Sequence, residues 1–310
     1  MNKENPLVSI IVRTKDRPKL LKRALQSIAT QIYRPIEVVL VNDGSCDLEV
    51  EELKRILHAV TLNYIRLEKN TGRAHAGNVG IENAAGDYIG FLDDDDEFYP
   101  NHVETLVSFQ VRGDYKVVYS AVEFMERIFD SDNLCFIDIK KGLFAKDFAY
   151  DDLLVGNYIP LISLLFKSDV LKNSMFDETF DLYEDWDMLI RVSEKNEFYF
   201  INEITAQYNQ WSSSQIAFKS SPEIIRQATI KLYKKHRAKI PIEFIFDMRE
   251  ESARKDAAIA QKDEYIRKVE ARNSELERAL GEKDAYIRNL QSARGWRLLT
   301  KYYKIKNRLS

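Results

Sequence analysis

Asp93, Asp94, Asp95 and Asp96 stand in a row directly after the apolar run Tyr88-Ile89-Gly90-Phe91-Leu92. Carboxylates crowded this closely repel one another, a cost that a bound cation or a hydrogen-bond network offsets. An acidic run is ordinarily a solvated turn. This one follows a strand-like segment, and ligands of open α/β sheets bind beyond the carboxyl ends of the strands. Two carboxylates one residue apart at such an end can face one cleft and hold a hard divalent cation, which in turn holds phosphate oxygens. Polar side chains close the other early strands too: Thr14 and Asp16, then Asp43, then Asn70 with Arg73. In a parallel sheet those ends would lie side by side along one edge.

The elements that must position these groups are legible in the N-terminal part. Leu7–Val12 and Ile36–Val41 are buried-strand runs, and Leu62–Leu67 and Tyr88–Leu92 follow the same pattern. Between them lie helical stretches: one opened by Pro18 with Leu20, Leu21, Ala24, Leu25 and Ile28 on one face, then Leu48–Leu57, Ala74–Ala85 and Pro100–Val111. Strand-helix alternation with short loops predicts a mostly parallel, Rossmann-like sheet with helices on both faces. From Lys116 the pattern becomes mixed. Val117–Phe124 and Cys135–Ile139 predict a hairpin, Leu161–Phe166 a strand, Tyr183–Glu194 a helix, Phe198–Ile201 and Thr205–Tyr208 two short strands, and Ser221-Pro222-Glu223 the start of a helix to about Ala238.

Composition narrows the class. The chain has 310 residues, 45% of them hydrophobic, and a formal net charge of -3, which argues against bulk nucleic-acid binding. Its two cysteines, Cys46 and Cys135, make neither a disulfide framework nor a zinc pattern and fit a reducing cytoplasm. The N-terminus lacks a signal-peptide core, and no run reaches the ~18 apolar residues of a membrane span. The expectation is a cytoplasmic protein, with any membrane contact peripheral. There is no GxxxxGK[ST] phosphate loop, and Arg13-Thr14-Lys15-Asp16-Arg17 lacks the glycines of a dinucleotide fingerprint.

Five motifs in order carry a family resemblance: Val8-Ser9-Ile10-Ile11-Val12-Arg13-Thr14; Val41-Asn42-Asp43-Gly44-Ser45; Asn70-Thr71-Gly72-Arg73-Ala74 with Asn78-Val79-Gly80; Asp93-Asp94-Asp95; and Glu184-Asp185-Trp186-Asp187. Over about residues 6 to 210 the chain resembles a family 2 glycosyltransferase of GT-A fold. The resemblance implies inverting transfer of a sugar from a nucleotide-diphosphate donor (UDP-, GDP- or dTDP-linked) to a hydroxyl of a glycan or lipid-linked acceptor, in cell-surface polysaccharide synthesis. It implies that Asp43 reads the donor base and that Thr14 lines the same pocket, with Asp16, Asn70, Gly72 and Arg73 around the nucleotide. Turn chemistry alone also explains Asp43, and a positive φ alone explains Gly72.

Within the acidic run the resemblance assigns Asp95 as the ligand of Mn2+ or Mg2+, with Asp93 and Asp94 facing the ribose or the metal's water shell. A second frame, Asp94-Asp95-Asp96, leaves the division open. Asp185 is the implied general base; Glu184, Trp186 and Arg191 fall on the acceptor side, with core packing the other account of Trp186 and phosphate contact the role open to Arg191. Helix-dipole complementarity is the other account of Glu184, Asp185 and Asp187. Two other classes are a nucleotidyltransferase, for which a glycine-rich basic loop after the first strand is missing, and an assembly module with a degenerate transferase domain, which predicts loss of carboxylates that are present.

Residues 1–245 are thus expected to form the transferase domain, 246–292 a coiled-coil helix and 293–310 a basic amphipathic tail. Ile259, Ile266, Asn273, Leu280 and Ile287 recur every seven residues, with Val269, Leu276 and Leu290 on the companion register. Lys262-Asp263-Glu264-Tyr265-Ile266-Arg267 returns as Lys283-Asp284-Ala285-Tyr286-Ile287-Arg288. Such a seam predicts a homodimer, with Asn273 fixing register; a lone helix packed on its own domain is the alternative. The tail interleaves Arg294, Arg297, Lys301, Lys304, Lys306 and Arg308 with Trp296, Leu299, Tyr302, Tyr303, Ile305 and Leu309, a composition suited to an anionic membrane surface or to a solvated end.

Overall fold

The computed structural model describes residues 5–45, 47–130, 135–211, 221–240, 242–292 and 294–307. Cys46, and Arg308 and Leu309 of the tail, lie outside the described residues. The chain divides between Ile240 and Pro241 into two compact units.

The β-branched runs of the first unit become β1 (Val8–Thr14), β2 (Ile36–Asn42), β3 (Thr61–Arg66) and β4 (Tyr88–Asp93), parallel in the order β3-β2-β1-β4. Connecting them are α1 (Pro18–Ala29), α2 (Val50–Leu57) and α3 (Arg73–Glu82). After β4 come β5 (Glu97–Phe98), α4 (His102–Gly113), β6 (Val117–Asp130), β7 (Cys135–Phe144), α5 (Tyr150–Val155), β8 (Leu164–Lys167), α6 (Ser168–Lys172), α7 (Glu184–Ser193), β9 (Phe198–Trp211) and α8 (Pro222–His236). The sheet continues β4-β8-β6-β9-β5, with β7 antiparallel to the outer part of β6. β8 is antiparallel to both β4 and β6, so the expected mixed half joins the parallel half through one short strand.

Successive strand residues face opposite sides, as the period of two requires. Ile11, Val39, Ile89 and Phe91 pack with the apolar faces of α3, α5, α6 and α7. Ile10, Val12, Val38, Leu40 and Leu92 pack with those of α1, α2 and α4. The result is a central sheet between two helical layers.

The second half departs from expectation in detail. Phe198–Trp211 is one strand rather than two; two register shifts against β6, at Ser120/Ala121 and Ala121/Val122, absorb the polar break at Asn202-Glu203. Leu161–Ser163 is a 3-10 turn after Pro160, and only Leu164–Lys167 is strand. β5, α5 and α6 are too short to leave a periodic signal. In the second unit α9 (Ile242–Ser292) is followed by α10 (Arg294–Lys306). Among the described residues no helix is long and apolar enough to cross a membrane.

Candidate active site

Strand register assembles the polar ends. In the β1–β4 ladder Arg13 sits opposite Asp93, and in the β1–β2 ladder Thr14 sits opposite Asn42. Arg13 is the hub. Its Nη2 and Nε donate to Asp93 Oδ1 at 2.7 and 3.2 Å, and its Nη1 donates to the Arg73 carbonyl at 3.2 Å and to Glu184 Oε1 at 3.4 Å. The guanidinium also lies 5.7 Å from the centre of the Phe176 ring. Burial works against its charge, but Asp93 and Glu184 overcome that and hold it protonated well above the usual arginine range. One buried cation thereby ties the β4 end, the start of α3 and the start of α7 together.

The four aspartates serve separate ends. Asp93 stays ionised below the ordinary carboxylate range, because Arg13 and then Arg73 outweigh its burial. Asp94 accepts from Thr14 Oγ1 at 2.7 Å and from Arg17 Nη1 at 3.1 Å. Burial, with Asp95 beside it, pushes Asp94 up to about 7. Asp95 Oδ2 accepts from the same Arg17 Nη1 at 2.7 Å; burial and then Asp93 raise this carboxyl. Asp96 is buried, accepts the Asn209 backbone N–H at 2.7 Å, and is pushed well up by burial and by Asp95. The hydrogen bond from Asp96 N–H to the Asp93 carbonyl closes the turn that fans the carboxylates apart.

Asp43 is committed to the neighbouring loop. Its Oδ1 accepts from the Thr71 backbone N–H at 2.7 Å and from Thr71 Oγ1 at 2.9 Å, and its Oδ2 accepts from the Gly72 N–H at 3.0 Å. With its amide nitrogen facing the carboxylate, Asn70 donates to Asp43 Oδ2 at 2.7 Å and its amide oxygen accepts from Lys15 Nζ at 3.1 Å. Two glycines permit this packing. Gly44 has φ +73°, and a Cβ there would lie 2.2 Å from the Asn70 nitrogen. Gly72 has φ +94° with open space around it, so conformation rather than room requires glycine. Asp16, also at positive φ, is exposed; its N–H donates to Ser45 Oγ at 2.7 Å and braces the adjoining loops.

At the start of α7, Asp185 Oδ1 accepts the Trp186 N–H at 2.8 Å and Oδ2 accepts from Asn157 Nδ2 at 3.2 Å. Glu184 is buried against Arg13 and Arg73, the latter 3.5 Å away; burial raises its pKa against the pull of Arg73. A cleft of about 200 Å3 joins these groups: Arg13, Arg73, Asp93 and Asp96 on one side, Glu184, Asp185 and Asn157 on another, with Phe144 and Tyr208 forming an aromatic wall.

Of the two accounts of Trp186 the structure selects core, and the acceptor-side expectation for Arg191 is corrected. Trp186 is core: it is buried, its Nε1 donates to the Leu153 carbonyl at 2.6 Å, and its ring meets Tyr183 and Tyr233 edge-on. Arg191 is directed elsewhere than the cleft: its Nε donates to Asp187 Oδ2 at 2.8 Å and its Nη2 to the Met175 carbonyl at 2.7 Å. Asp187, in turn, accepts from Lys235 and bonds His236, tying α7 to α8. Glu184 lines the cleft but is spent on two arginines. Arg13, Arg17, Asn157, Phe144 and Tyr208 went unnoticed in the sequence. Arg13 alone left a signal there, as a cation closing a buried strand.

Among the described residues no three His, Cys, Asp or Glu side chains converge as a ready-made metal cage. The donor chemistry still suits a hard ion. Mg2+-like ions are bound by one or two carboxylates, with phosphates and water completing the shell. Asp93, which lines the cleft, and Asp95, bonded by Arg17, are carboxylates of that chemistry.

Comparison with known proteins places the fold and the family. The Glycosyl transferase family 2 profile matches residues 9–168. The uncharacterised glycosyltransferase YwdF of Bacillus subtilis is 31% identical over 188 residues, 60% of this chain and 68% of YwdF. WcaA of Escherichia coli K12, whose name suggests a part in colanic acid biosynthesis, is 26% identical over 251 residues, 76% of this chain and 84% of WcaA. Of two Rickettsia relatives the chain spans 64% and 28%. Among solved structures, Staphylococcus aureus TarS 1–349 with UDP-GlcNAc has a TM-score of 0.55 at 18% identity, over 73% of this chain and 66% of that one. The mannosyltransferase PcManGT of Pyrobaculum calidifontis, with GDP-Man and Mn2+, also gives 0.55, at 17% identity over 77% and 67%.

Proposed function

The chain belongs to glycosyltransferase family 2, and from that premise we propose that it moves a sugar from a nucleotide-diphosphate sugar to a hydroxyl acceptor, with inversion, in cell-surface polysaccharide synthesis. One observation carries the reading. The cleft sets a cationic rim, Arg13 and Arg73, and the acidic strand end opposite a carboxylate, Asp185, whose two oxygens are both oriented. Asp185 takes the proton of the acceptor hydroxyl as that oxygen bonds to the anomeric carbon. The bond from that carbon to the diphosphate oxygen breaks, and the diphosphate leaves with the electron pair. Arg73, half exposed beside Glu184, faces the charge that develops there. Arg13 is too enclosed to move and keeps Asp93 and Glu184 in place.

Asp95, with Asp93, would hold Mn2+ or Mg2+. Such an ion, when bound, supplies Lewis-acid neutralisation of the leaving diphosphate. The loops of residues 43–45 and 70–73 form the nucleobase rim. Because Thr71, Gly72 and Asn70 fill the acceptor positions of Asp43, a base that bonds Asp43 displaces one of them, and exposed Asn70 is the replaceable one. TarS with UDP-GlcNAc and PcManGT with GDP-Man support a UDP- or GDP-sugar as donor; a dTDP-sugar is kept in the panel below.

The basic residues Arg297, Lys301 and Lys304 of α10 stand at helical spacing beside exposed Leu298, Tyr302 and Ile305. That pairing supports peripheral attachment to the anionic inner face of the cell membrane, where a lipid-linked acceptor would be met. Calorimetry with UDP-, GDP- and dTDP-sugars, with and without Mn2+, tests the catalytic reading. One donor should bind in the micromolar range with metal and lose at least tenfold without it, and Asp95→Ala should abolish the metal effect. No binding of any donor at millimolar concentration refutes it. The coiled-coil scaffold and the nucleotidyltransferase readings are not favoured, since the carboxylates are present and the basic glycine-rich loop is not.

A further inference from the structure

Helix α9 carries its heptad seam uncovered. Ile259, Ile266, Leu280 and Ile287 on one register, and Val269, Leu276 and Leu290 on the other, are each 40–63% exposed. A surface helix normally turns such a stripe toward a core. The seam runs from Ile259 to Leu290, about 47 Å at ~1.5 Å per residue. We propose that a second copy of this chain covers the seam as a parallel, in-register, two-stranded coiled coil.

The polar residues choose the orientation. With Ile259 at position a, the e positions are Asp263, Glu270, Glu277 and Asp284, all acidic. The g positions between them are Tyr265, Arg272 and Ala279. In an antiparallel pair e faces e, so four carboxylates of one helix would line up against four of the other. In a parallel pair e faces g, the acids of the two copies lie on opposite flanks, and Glu277 of one copy meets Arg272 of the second. Arg272 pairs along its own helix with Glu275 at 2.9 Å. That exposed contact is weak enough to be shared.

The seam itself gives the same answer. A parallel, in-register coil stacks Asn273 on Asn273, where the two amides can hydrogen-bond across the seam. It sets Lys262 and Lys283, at d, against Asp263 and Asp284 of the second copy, which offsets the lysine–lysine repulsion. The antiparallel alignment that keeps the whole seam paired instead opposes Asn273 to Leu276, Lys262 to Ile287 and Lys283 to Ile266, so every polar seam residue faces an apolar one. The Lys-Asp pairs recur three heptads apart and serve both ends of the seam alike. β-branched residues at a with leucine at d favour two strands.

The test uses the full chain with Cys46→Ser and Cys135→Ser as background. Light scattering at 10 µM should give twice 36.2 kDa. A lone Leu280→Cys should then oxidise almost completely to a covalent dimer, since facing a positions meet disulfide geometry. In the antiparallel alignment residue 280 faces 269, and the two cysteines would sit about 16 Å apart; only a mixture of Leu280→Cys and Val269→Cys chains would cross-link. Arg272→Glu should weaken the dimer roughly fivefold to tenfold, from two exposed pairs turned repulsive, and Arg272→Glu/Glu277→Arg should restore it. A monomer, a higher oligomer, or cross-linking confined to the mixed cysteines overturns the proposal.

Discussion

Replacing Arg13 by Met keeps an unbranched apolar chain in its place and removes the charge beside Phe176. Asp93 then loses its main partner and Glu184 one of its two arginines. Asp93, with a third of its side chain exposed, can be hydrated. Glu184 cannot: its side chain is 2% exposed, and the arginine left beside it, Arg73, is 3.5 Å away and half in solvent. Breaking a buried ion pair from one side costs about 3–5 kcal/mol, mostly through the charge left behind. Arg73 retains part of the attraction, so the expected loss is about 3 kcal/mol. Arg13→Met/Glu184→Gln leaves no orphan charge and should recover about 2 kcal/mol of that, a coupling that neighbouring sites show and distant ones do not. Urea unfolding followed by tryptophan fluorescence measures both, because Trp186 and Trp211 are buried in this unit. Transfer should stay impaired in both variants, since nothing then ties Asp93 and the start of α7 together at the cleft, although Arg73 remains. A loss below about 1 kcal/mol for Arg13→Met, or simple additivity in the double variant, refutes Arg13 as the cation that holds the site together.

Two further outcomes follow from the same geometry. Asn157→Ala should lower kcat by about 10- to 100-fold through loss of Asp185 alignment while leaving donor affinity within error; steady-state kinetics at saturating acceptor decide this, and a change confined to donor KM would place Asn157 elsewhere. His102 is buried, stacked on Phe98 and hydrogen-bonded with Thr205, and burial lowers its pKa to about 3. Its ordinary value is about 6.5, so between those limits the unfolded chain binds the extra proton and stability falls as pH falls. From pH 7 to 4.5 that is roughly 2–3 kcal/mol. His102→Gln should be less stable at pH 7 yet show a flatter decline to pH 4.5, and an unchanged slope would assign the acid sensitivity to other groups.

How far the sequence foretold the molecule depends on the kind of signal. β1, β2 and β4 were legible as continuous apolar runs, α1, α2 and α4 by an apolar face at helical spacing, and β3 and α3 by the alternation and turns that flank them. The acidic run and the Asn-Asp-Gly and Asn-Thr-Gly turns were legible because strand ends in a parallel sheet share an edge. The long strand β9 was not, since a bulge at Asn202-Glu203 looks like a loop until β6 is known to lie beside it. Contacts between distant segments were also hidden. Asn157 meets Asp185 from a loop without pattern, and Arg13 meets Asp93 only because β1 lies next to β4. Arg191 shows the opposite error, and Trp186 was left open between core and cleft. Both stand near Asp185 in sequence, but the helical turn points them into the core and toward Asp187, away from the cleft.

Asp185→Asn tests the central claim most directly. The amide keeps the shape and cannot accept the acceptor's proton, so transfer at saturating substrates should fall by roughly 10²–10⁴-fold. Donor affinity measured by calorimetry should stay within about threefold, because the base acts on the acceptor. Turnover above about a tenth of wild type, with donor binding intact, would contradict the account.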